Sequence, residues 1–142
     1  MDGEKSWKKN SEGLSYASYS RGFTSLSKPP TTLSPIPLGS NHFGVYKTID
    51  GAKTWKNIFP EFNCSSLAIA LDSTVYAGGY SYSWSERGGI FKSINGGKTW
   101  NALHDGNHYV HFGILSLAVD PHHPGRVYVG TEGNGVFMGE PN

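Results

Sequence analysis

Two acidic residues lie in the two longest irregular segments of this chain. Glu86 falls in GYSYSWSERGG (79–89) and Asp105 falls in HDGNHYVHFG (104–113). Glycoside hydrolysis needs two carboxyl groups across a sugar bond, one as the acid and one as the nucleophile or base. Glu86 and Asp105 are therefore the weak catalytic candidates that such a reaction would use, although neither lies in a recognisable catalytic motif.

The same two segments carry side chains that are suited to binding. Aromatic rings on an exposed loop can stack on sugar rings or anchor a protein partner. The ligand-binding candidates are Tyr80, Tyr82, Trp84, Arg87, His108 and Tyr109. The alternative interpretation is that these rings cover the rim of the fold. The spacing of histidines 104, 108 and 111 would bring their side chains together only on a helix. The segment is predicted to be a loop, so we predict no metal site and no cofactor.

Composition excludes several classes of partner. Twelve basic and eleven acidic residues leave a formal charge of +1, which disfavours nucleic-acid binding. Cys64 is the single cysteine, so no internal disulfide can form. No apolar run approaches the roughly 20 residues of a membrane span. The polar start MDGEKSWKKN is unlike a signal peptide, so a cytoplasmic location is the default although the compartment stays unknown.

Internal repetition is the strongest pattern in the sequence. GVYKTIDGAKTW (44–55) and GIFKSINGGKTW (89–100) agree in chemistry at an offset of 45 residues. DGEKSW (2–7) aligns with DGAKTW (50–55), and SLAIALDSTVYAGG (66–79) resembles SLAVDPHHPGRVYVG (116–130). A period of this length with about four short strands is typical of one β-propeller blade. The sequence therefore predicts an all-β fold of four-stranded antiparallel blades.

The repeats divide the chain into about three blade equivalents, which form one partial propeller domain over 1–142. Residues 1–9 supply the last strand of a split blade, 10–58 a degraded blade, 59–103 a well-formed blade and 104–142 three strands of the final blade. In the degraded blade we predict strands at Leu14–Tyr19, about Thr31–Ser34, Val45–Lys47 and Trp55–Ile58. Its middle is rich in proline, which cannot donate to a sheet ladder.

The two complete repeats share a turn of the form Ser/Thr-x-Asp-x-Gly-x-Thr-Trp, with Asn95 in place of the aspartate in the second. This pattern resembles the Asp-box, or BNR repeat, of propellers in sialidases, sortilin-type receptors, xyloglucan-degrading hydrolases and photosystem II assembly factors. The resemblance implies a structural role for Asp2, Trp7, Asp50, Trp55, Asn95, Gly97 and Trp100. Ala52 stands where a glycine is usual, which leaves a positive φ open at that position.

Strand direction predicts that the loops with the binding candidates lie on the face opposite these turns. We therefore expect a non-catalytic interaction module that presents loops to a protein or glycan partner. The alternative is a fragment or subunit of a glycoside hydrolase of the sialidase or xyloglucanase kind. Because three blades do not close a ring, the chain is expected either to be part of a longer propeller or to associate with itself through open blade edges. Relatives of this kind are often exported.

Overall fold

The chain folds into β-sheets joined by turns. A computed structural model describes residues 8–14, 23–26, 36–40, 44–60, 62–80, 89–103, 113–123 and 125–140. Eleven strands and no helix lie within these ranges. The described residues accordingly contain no helix with the length and apolar character that a membrane crossing requires.

The strands form three separate sheets in chain order. The first sheet contains β1 (Phe23–Leu26), β2 (Ile36–Ser40), β3 (Gly44–Thr48) and β4 (Lys56–Phe59). The middle sheet contains β5 (Asn63–Ile69), β6 (Val75–Tyr80), β7 (Gly89–Ser93) and β8 (Asn101–Leu103). The third sheet contains β9 (Ile114–Val119), β10 (Val127–Thr131) and β11 (Gly135–Gly139). Every pair of neighbouring strands is antiparallel.

The middle sheet packs between the other two. Leu67 of β5 and Ala77 of β6 lie opposite each other in the middle sheet. Both are buried towards the first sheet, in a cluster that includes Val45. Tyr76, one residue along β6, is buried on the opposite side with Ile114 of the third sheet. Successive side chains of a strand point to opposite faces, so each sheet can bury both of its faces against neighbours. The three sheets therefore stand in a row, and apolar burial holds them together.

Aromatic rings fill the contact between the first and middle sheets. Phe59 stacks on Phe62 and on Trp100, with ring centroids 5.0 Å apart in both pairs. Phe91 meets Phe59 edge-on at 5.1 Å and Phe62 at 4.8 Å. Such pairs contribute about 0.5–1.5 kcal/mol each beyond the burial of their area. Residues from β4, β7 and the two following turns thereby fix how the sheets meet.

The first sheet begins with two strands that the sequence did not predict, β1 at Phe23–Leu26 and β2 at Ile36–Ser40. The strands expected at 14–19 and near 31–34 lie outside the described residues, apart from Leu14, which belongs to no strand. Pro37 lies opposite Lys47 of β3, and the pairing with β1 ends at Leu38. Pro37 is thus near the start of β2 and beyond the β1 ladder, a position where a sheet tolerates proline.

The N-terminal segment also differs from its prediction. The last strand of a split blade was expected within residues 1–9, and the described part of that range, Lys8 and Lys9, forms no strand. The segment instead follows the first sheet. Trp55 donates its backbone N–H to the Glu12 carbonyl at 2.9 Å, and Glu12 makes an isolated parallel bridge with Thr54. The described N-terminal residues therefore contact the first sheet of their own chain.

Replacing Ile114 by alanine tests the contact between the middle and third sheets. Ile114 is fully buried in that contact. The substitution removes buried methyl groups and leaves a cavity, so we expect it to lower the free energy of unfolding by about 2–5 kcal/mol. Urea denaturation measures the change. Its neighbour Leu115 is 54% exposed, and Leu115→Ala should change the stability by less than about 0.5 kcal/mol. Equal effects of the two substitutions would contradict this packing.

Candidate functional site

A network of side-chain hydrogen bonds closes the turn between β3 and β4. Asp50 Oδ1 accepts hydrogen bonds from the Thr54 backbone N–H at 2.9 Å and from the Thr48 hydroxyl at 2.8 Å. Asp50 Oδ2 accepts from the Thr54 hydroxyl at 2.6 Å. The Thr48 oxygen in turn accepts from the Ala52 N–H at 3.0 Å. The carboxylate therefore holds both sides of its own turn and uses its two oxygens in doing so.

The turn between β7 and β8 repeats this network with an amide. Asn95 Oδ1 accepts from the Thr99 N–H at 2.9 Å and from the Ser93 hydroxyl at 3.1 Å. Asn95 Nδ2 donates to the Thr99 hydroxyl at 2.7 Å, where a carboxylate oxygen would accept. Gly97 donates its N–H to the Ser93 oxygen at 2.9 Å. A hydroxyl can donate or accept, so threonine accommodates the exchange of aspartate for asparagine.

Both turns need two consecutive residues with positive φ. Gly96 and Gly97 supply them in the second turn, at 67° and 85°. In the first turn they are Gly51 at 72° and Ala52 at 68°. Ala52 thus adopts the glycine-like conformation that the sequence left open. A non-glycine residue in this region costs about 1–2 kcal/mol, which the hydrogen bonds of the turn offset.

The two tryptophans that follow these turns make equivalent contacts. Trp100 donates its indole N–H to the Ile58 carbonyl at 3.3 Å. Trp55 donates its indole N–H to the Asn10 carbonyl at 3.3 Å. Trp55 is buried with Tyr46 in a cluster on the outer side of the first sheet. Each ring therefore lies between its own sheet and the preceding segment of the chain.

The opposite face of the molecule receives the two longest connections of the middle sheet. Gly79 of β6 pairs with Gly89 of β7, so the segment between these strands leaves and re-enters at one edge. Leu103, where β8 ends, pairs with Ile90 beside that same edge. Residues 81–88 and the segment after Leu103 therefore start from one face, which we call the loop face. The Asn95 turn lies at the other end of the strands.

Most of the predicted binding and catalytic residues lie outside the described residues. These are Tyr82, Trp84, Glu86, Arg87, Asp105, His108 and Tyr109, together with Asp2 and Trp7 of the first predicted turn. The backbone of Tyr80 is described, and it ends β6 opposite Asn63 of β5. The structure thus fixes the anchors of both loops. Their side chains remain predictions from the sequence.

Asn63 is a polar group at the loop face that the sequence pattern did not single out. It pairs with Tyr80 at the point where β5 begins, beside the start of the 81–88 segment. Its Oδ1 atom is buried and accepts no hydrogen bond among the described residues. A buried acceptor without a partner costs about 1–3 kcal/mol. The sequence carried no distinct signal for this residue, since Ser65 and Ser66 of the same strand are also polar.

Charged groups gather instead at the turn between β9 and β10. Arg126 donates from Nε and Nη2 to Glu140 Oε1, at 2.9 and 2.7 Å. Asp120 accepts the backbone N–H groups of His122 and His123, and these bonds lower the pKa of its carboxyl. The cluster joins the turn to the end of β11. Within the described ranges no group of three acidic, histidine or cysteine side chains is arranged to hold a metal ion.

Acid should weaken the Asp50 turn and leave the Asn95 turn unaffected. The Thr54 hydroxyl, followed by the Thr54 N–H and the Thr48 hydroxyl, lowers the pKa of Asp50 from 3.8 to about 2. A lowered pKa in the folded state contributes stability that is present above pH 3.8 and is lost as the pH falls through about 2. We therefore expect the stability difference between the wild type and Asp50→Asn to shrink over that window in urea titrations.

Asn95→Asp is the matched variant, because it should introduce the same acid dependence into the second turn. A difference between wild type and Asp50→Asn that stays constant from pH 5 to pH 2 would contradict the role of the carboxylate.

Opposite glycine exchanges should have opposite effects on the two turns. Gly97→Ala places a methyl group at a φ of 85° and against the Ile58 side chain, so we expect a loss of about 1–3 kcal/mol. Ala52→Gly removes a strained alanine and should gain up to about 1 kcal/mol, reduced by the loss of its methyl contact with the Tyr46 cluster. Thermal or urea unfolding measures both, and a destabilising Ala52→Gly would contradict the strain.

Comparison with known proteins identifies the fold. No family model matches the sequence, and no curated protein matches it. Among solved structures, the chain is similar to the GH74 xyloglucanase from Xanthomonas campestris, with a TM-score of 0.60 and 16% identity over 84% of this chain. It is also similar to an ancestral GH74 enzyme, with a TM-score of 0.66 and 17% identity over 84% of this chain.

The chain spans about a fifth of the length of these two structures, 20% of the first and 17% of the second. At this level of identity the similarity establishes the fold and leaves the chemistry open. Together with the three antiparallel sheets, it confirms the predicted fold class. The chain is an all-β partial propeller of about three blade equivalents.

Proposed function

We propose that this chain is a non-catalytic β-propeller module that presents its loop face to a glycan. One observation carries the proposal, namely that the register of the middle sheet anchors both long segments at a single edge. Gly79 pairs with Gly89, and Ile90 pairs with Leu103. Loops on a rigid scaffold are the usual position of binding residues. The packed sheets behind this edge supply such a scaffold.

The side chains of the two segments have the chemistry that glycan binding needs. Tyr80, Tyr82 and Trp84 follow one another at alternate positions, and aromatic rings stack on the apolar faces of sugars. Arg87, His108 and Tyr109 add groups that hydrogen-bond sugar hydroxyls. Asn63 Oδ1, buried below the start of the first segment, is an additional acceptor for a ligand that reaches it. A protein partner would use the same rings as anchors.

The turns on the opposite face are proposed to be Asp-boxes with a structural role. Asp50 and Asn95 direct their side-chain atoms to residues of their own turns. Trp55 and Trp100 direct their indole N–H groups to backbone carbonyls. Hydrogen bonds that are satisfied internally support the fold rather than a ligand. This assignment leaves the loop face as the binding surface.

Similarity to two GH74 enzymes favours a second candidate function. In this alternative the chain is part of a glycoside hydrolase, and Glu86 and Asp105 are its acid and its nucleophile or base. The geometry that such chemistry needs is a pair of carboxyl groups about 5–5.5 Å apart for retention or about 6.5–9.5 Å apart for inversion. Because the chain spans about a fifth of those enzymes, a complete active site would draw on residues beyond it.

Trp84→Ala should weaken glycan binding without unfolding the protein. The expected effect of losing one stacked ring is at least a tenfold weaker binding of xyloglucan oligosaccharides or of the glycans selected on an array, measured by calorimetry. Ile94→Ala is the control, since Ile94 is 71% exposed on the opposite face. Unchanged affinity in Trp84→Ala, or absence of binding to every glycan tested, would contradict the proposed module.

The hydrolase alternative is separated by a turnover assay on the same oligosaccharides. Turnover that disappears in Glu86→Gln or Asp105→Asn would favour the enzyme over the module. Binding without turnover in the wild type would favour the module.

A further inference from the structure

The outer face of the third sheet is apolar and exposed. Tyr128 of β10 lies beside Met138 of β11 in register, and Val136 is two residues along the same face. Their exposed fractions are 37%, 60% and 76%. Val129 and Ile114, on the other side of this sheet, are buried against the middle sheet. One face of the third sheet is thus packed, and the other presents apolar side chains to solvent.

The repeat shows what covers the equivalent face of the middle sheet. Tyr76 aligns with Tyr128 in the repeated block, and Tyr76 is 1% exposed because the third sheet packs on it. Gly78 aligns with Gly130, and the side chain of Ile114 occupies the space above it. A face of this kind is therefore built to receive a further antiparallel sheet. In the third sheet that occupant is not among the described residues.

The N-terminal segment has the position of the fourth strand of a preceding blade. Trp100 contacts the carbonyl of Ile58, which is three residues after Trp55 in the chain. Trp55 contacts the carbonyl of Asn10, which is three residues after Trp7 in the chain. The two contacts have the same length and the same spacing. Residues 8–10 accordingly have the same position relative to the first sheet as strand β4 has relative to the middle sheet.

The third sheet is missing just this strand within the described residues, where β11 pairs with β10 alone. Residues 8–10 of the same chain are held against the first sheet, and the middle sheet lies between the first and the third. We propose that residues 8–10 of a second copy of this chain add to β11 as its fourth strand. The exposed face of the third sheet then packs on the N-terminal end of that copy.

The repeat also gives the register of this contact. Lys92 pairs with Asn101, and Ile90 pairs with Leu103 in the middle sheet. Transferred through the aligned strands, these pairs place Lys8 opposite Met138 and Asn10 opposite Val136. The contact joins different ends of the two copies. Two copies related by a twofold axis make this contact twice.

The first test is the mass of the chain in solution. Light scattering with size-exclusion chromatography should show a species of twice the 15.4 kDa chain mass, and it should dissociate on dilution. Val136 aligns with Val45 and Ile90, which are packed on the following sheet. Val136→Lys places a charged group in that apolar contact and should shift the protein to monomer. Ile94→Lys is the control, because Ile94 is similarly exposed on a turn far from the contact. A wild type that is monomeric at high micromolar concentration would overturn the proposal.

The second test is a cross-link that reports the register. Residues opposite each other on antiparallel strands have Cα atoms about 4.5–5.5 Å apart, within the roughly 4.4–6.8 Å that a disulfide spans. Lys8→Cys combined with Met138→Cys should form a dimer band on a non-reducing gel after oxidation. The native Cys64 does not interfere, since it is fully buried and burial raises the pKa of its thiol to about 12.

Lys8→Cys combined with Ile94→Cys is the matched control and should remain monomeric. A cross-linked monomer from the Lys8 and Met138 pair would mean that the chain supplies its own fourth strand, and it would overturn the second copy. Circular dichroism of each variant keeps a loss of folding distinct from a loss of association.

Discussion

Apolar burial between consecutive sheets is the constraint on which the rest of this structure depends. The two larger buried clusters both lie between sheets, one between the first and middle sheets and one between the middle and third sheets. The middle sheet is buried on both sides, because small residues at Ala77 and Gly78 allow close approach of the sheets on either side. The packing of Phe59, Phe91 and Trp100 then sets how two sheets meet. In a repeat fold, stability is carried by such interfaces between units.

The turns support this packing because they fix the position of each tryptophan, which immediately precedes β4 or β8. Asp50 and Asn95 close turns of the same shape although one side chain is charged and the other is not. The adaptable partner is the threonine hydroxyl, which donates to the carboxylate and accepts from the amide. The repeat therefore conserves a hydrogen-bond geometry rather than a residue. The two copies differ in consequence in their response to acid.

The stabilising turns and the proposed binding surface lie on opposite faces of the molecule. The turn face is occupied by side chains whose hydrogen bonds are made within the turns, and its geometry leaves them little freedom to contact a ligand. The loop face begins where the paired strands of the middle sheet end, at Tyr80, Gly89 and Leu103. Long connections there can vary without disturbing the interfaces between sheets, which is why such a face is suited to binding. Similarity to GH74 structures concerns the scaffold that both faces share.

Sequence alone determined the repeat, the strand type and the outer strands of each unit. Strands β3 and β7 both occupy the first five residues of the aligned segments 44–55 and 89–100, because alternation and flanking turn residues are local signals. The first two strands of the first sheet were not predicted in this way. Phe23–Leu26 and Ile36–Ser40 flank a proline-rich stretch, and their pairing comes from contact with β3 and β5 rather than from local propensity.

Only the tertiary structure decided the path of Lys8–Leu14, the backbone conformation of Ala52 and the burial of the Asn63 side-chain oxygen. The N-terminal segment follows the first sheet because the Trp55 indole and backbone bind it, a contact between residues that are 45 positions apart. Ala52 accepts a positive φ because Thr48 and Asp50 hold the turn around it. Asn63 becomes a buried acceptor because β5 begins opposite the residue at which β6 ends, at the loop face. Sequence patterns record local periodicity, whereas these outcomes depend on which distant residues compete for the same backbone groups and the same space.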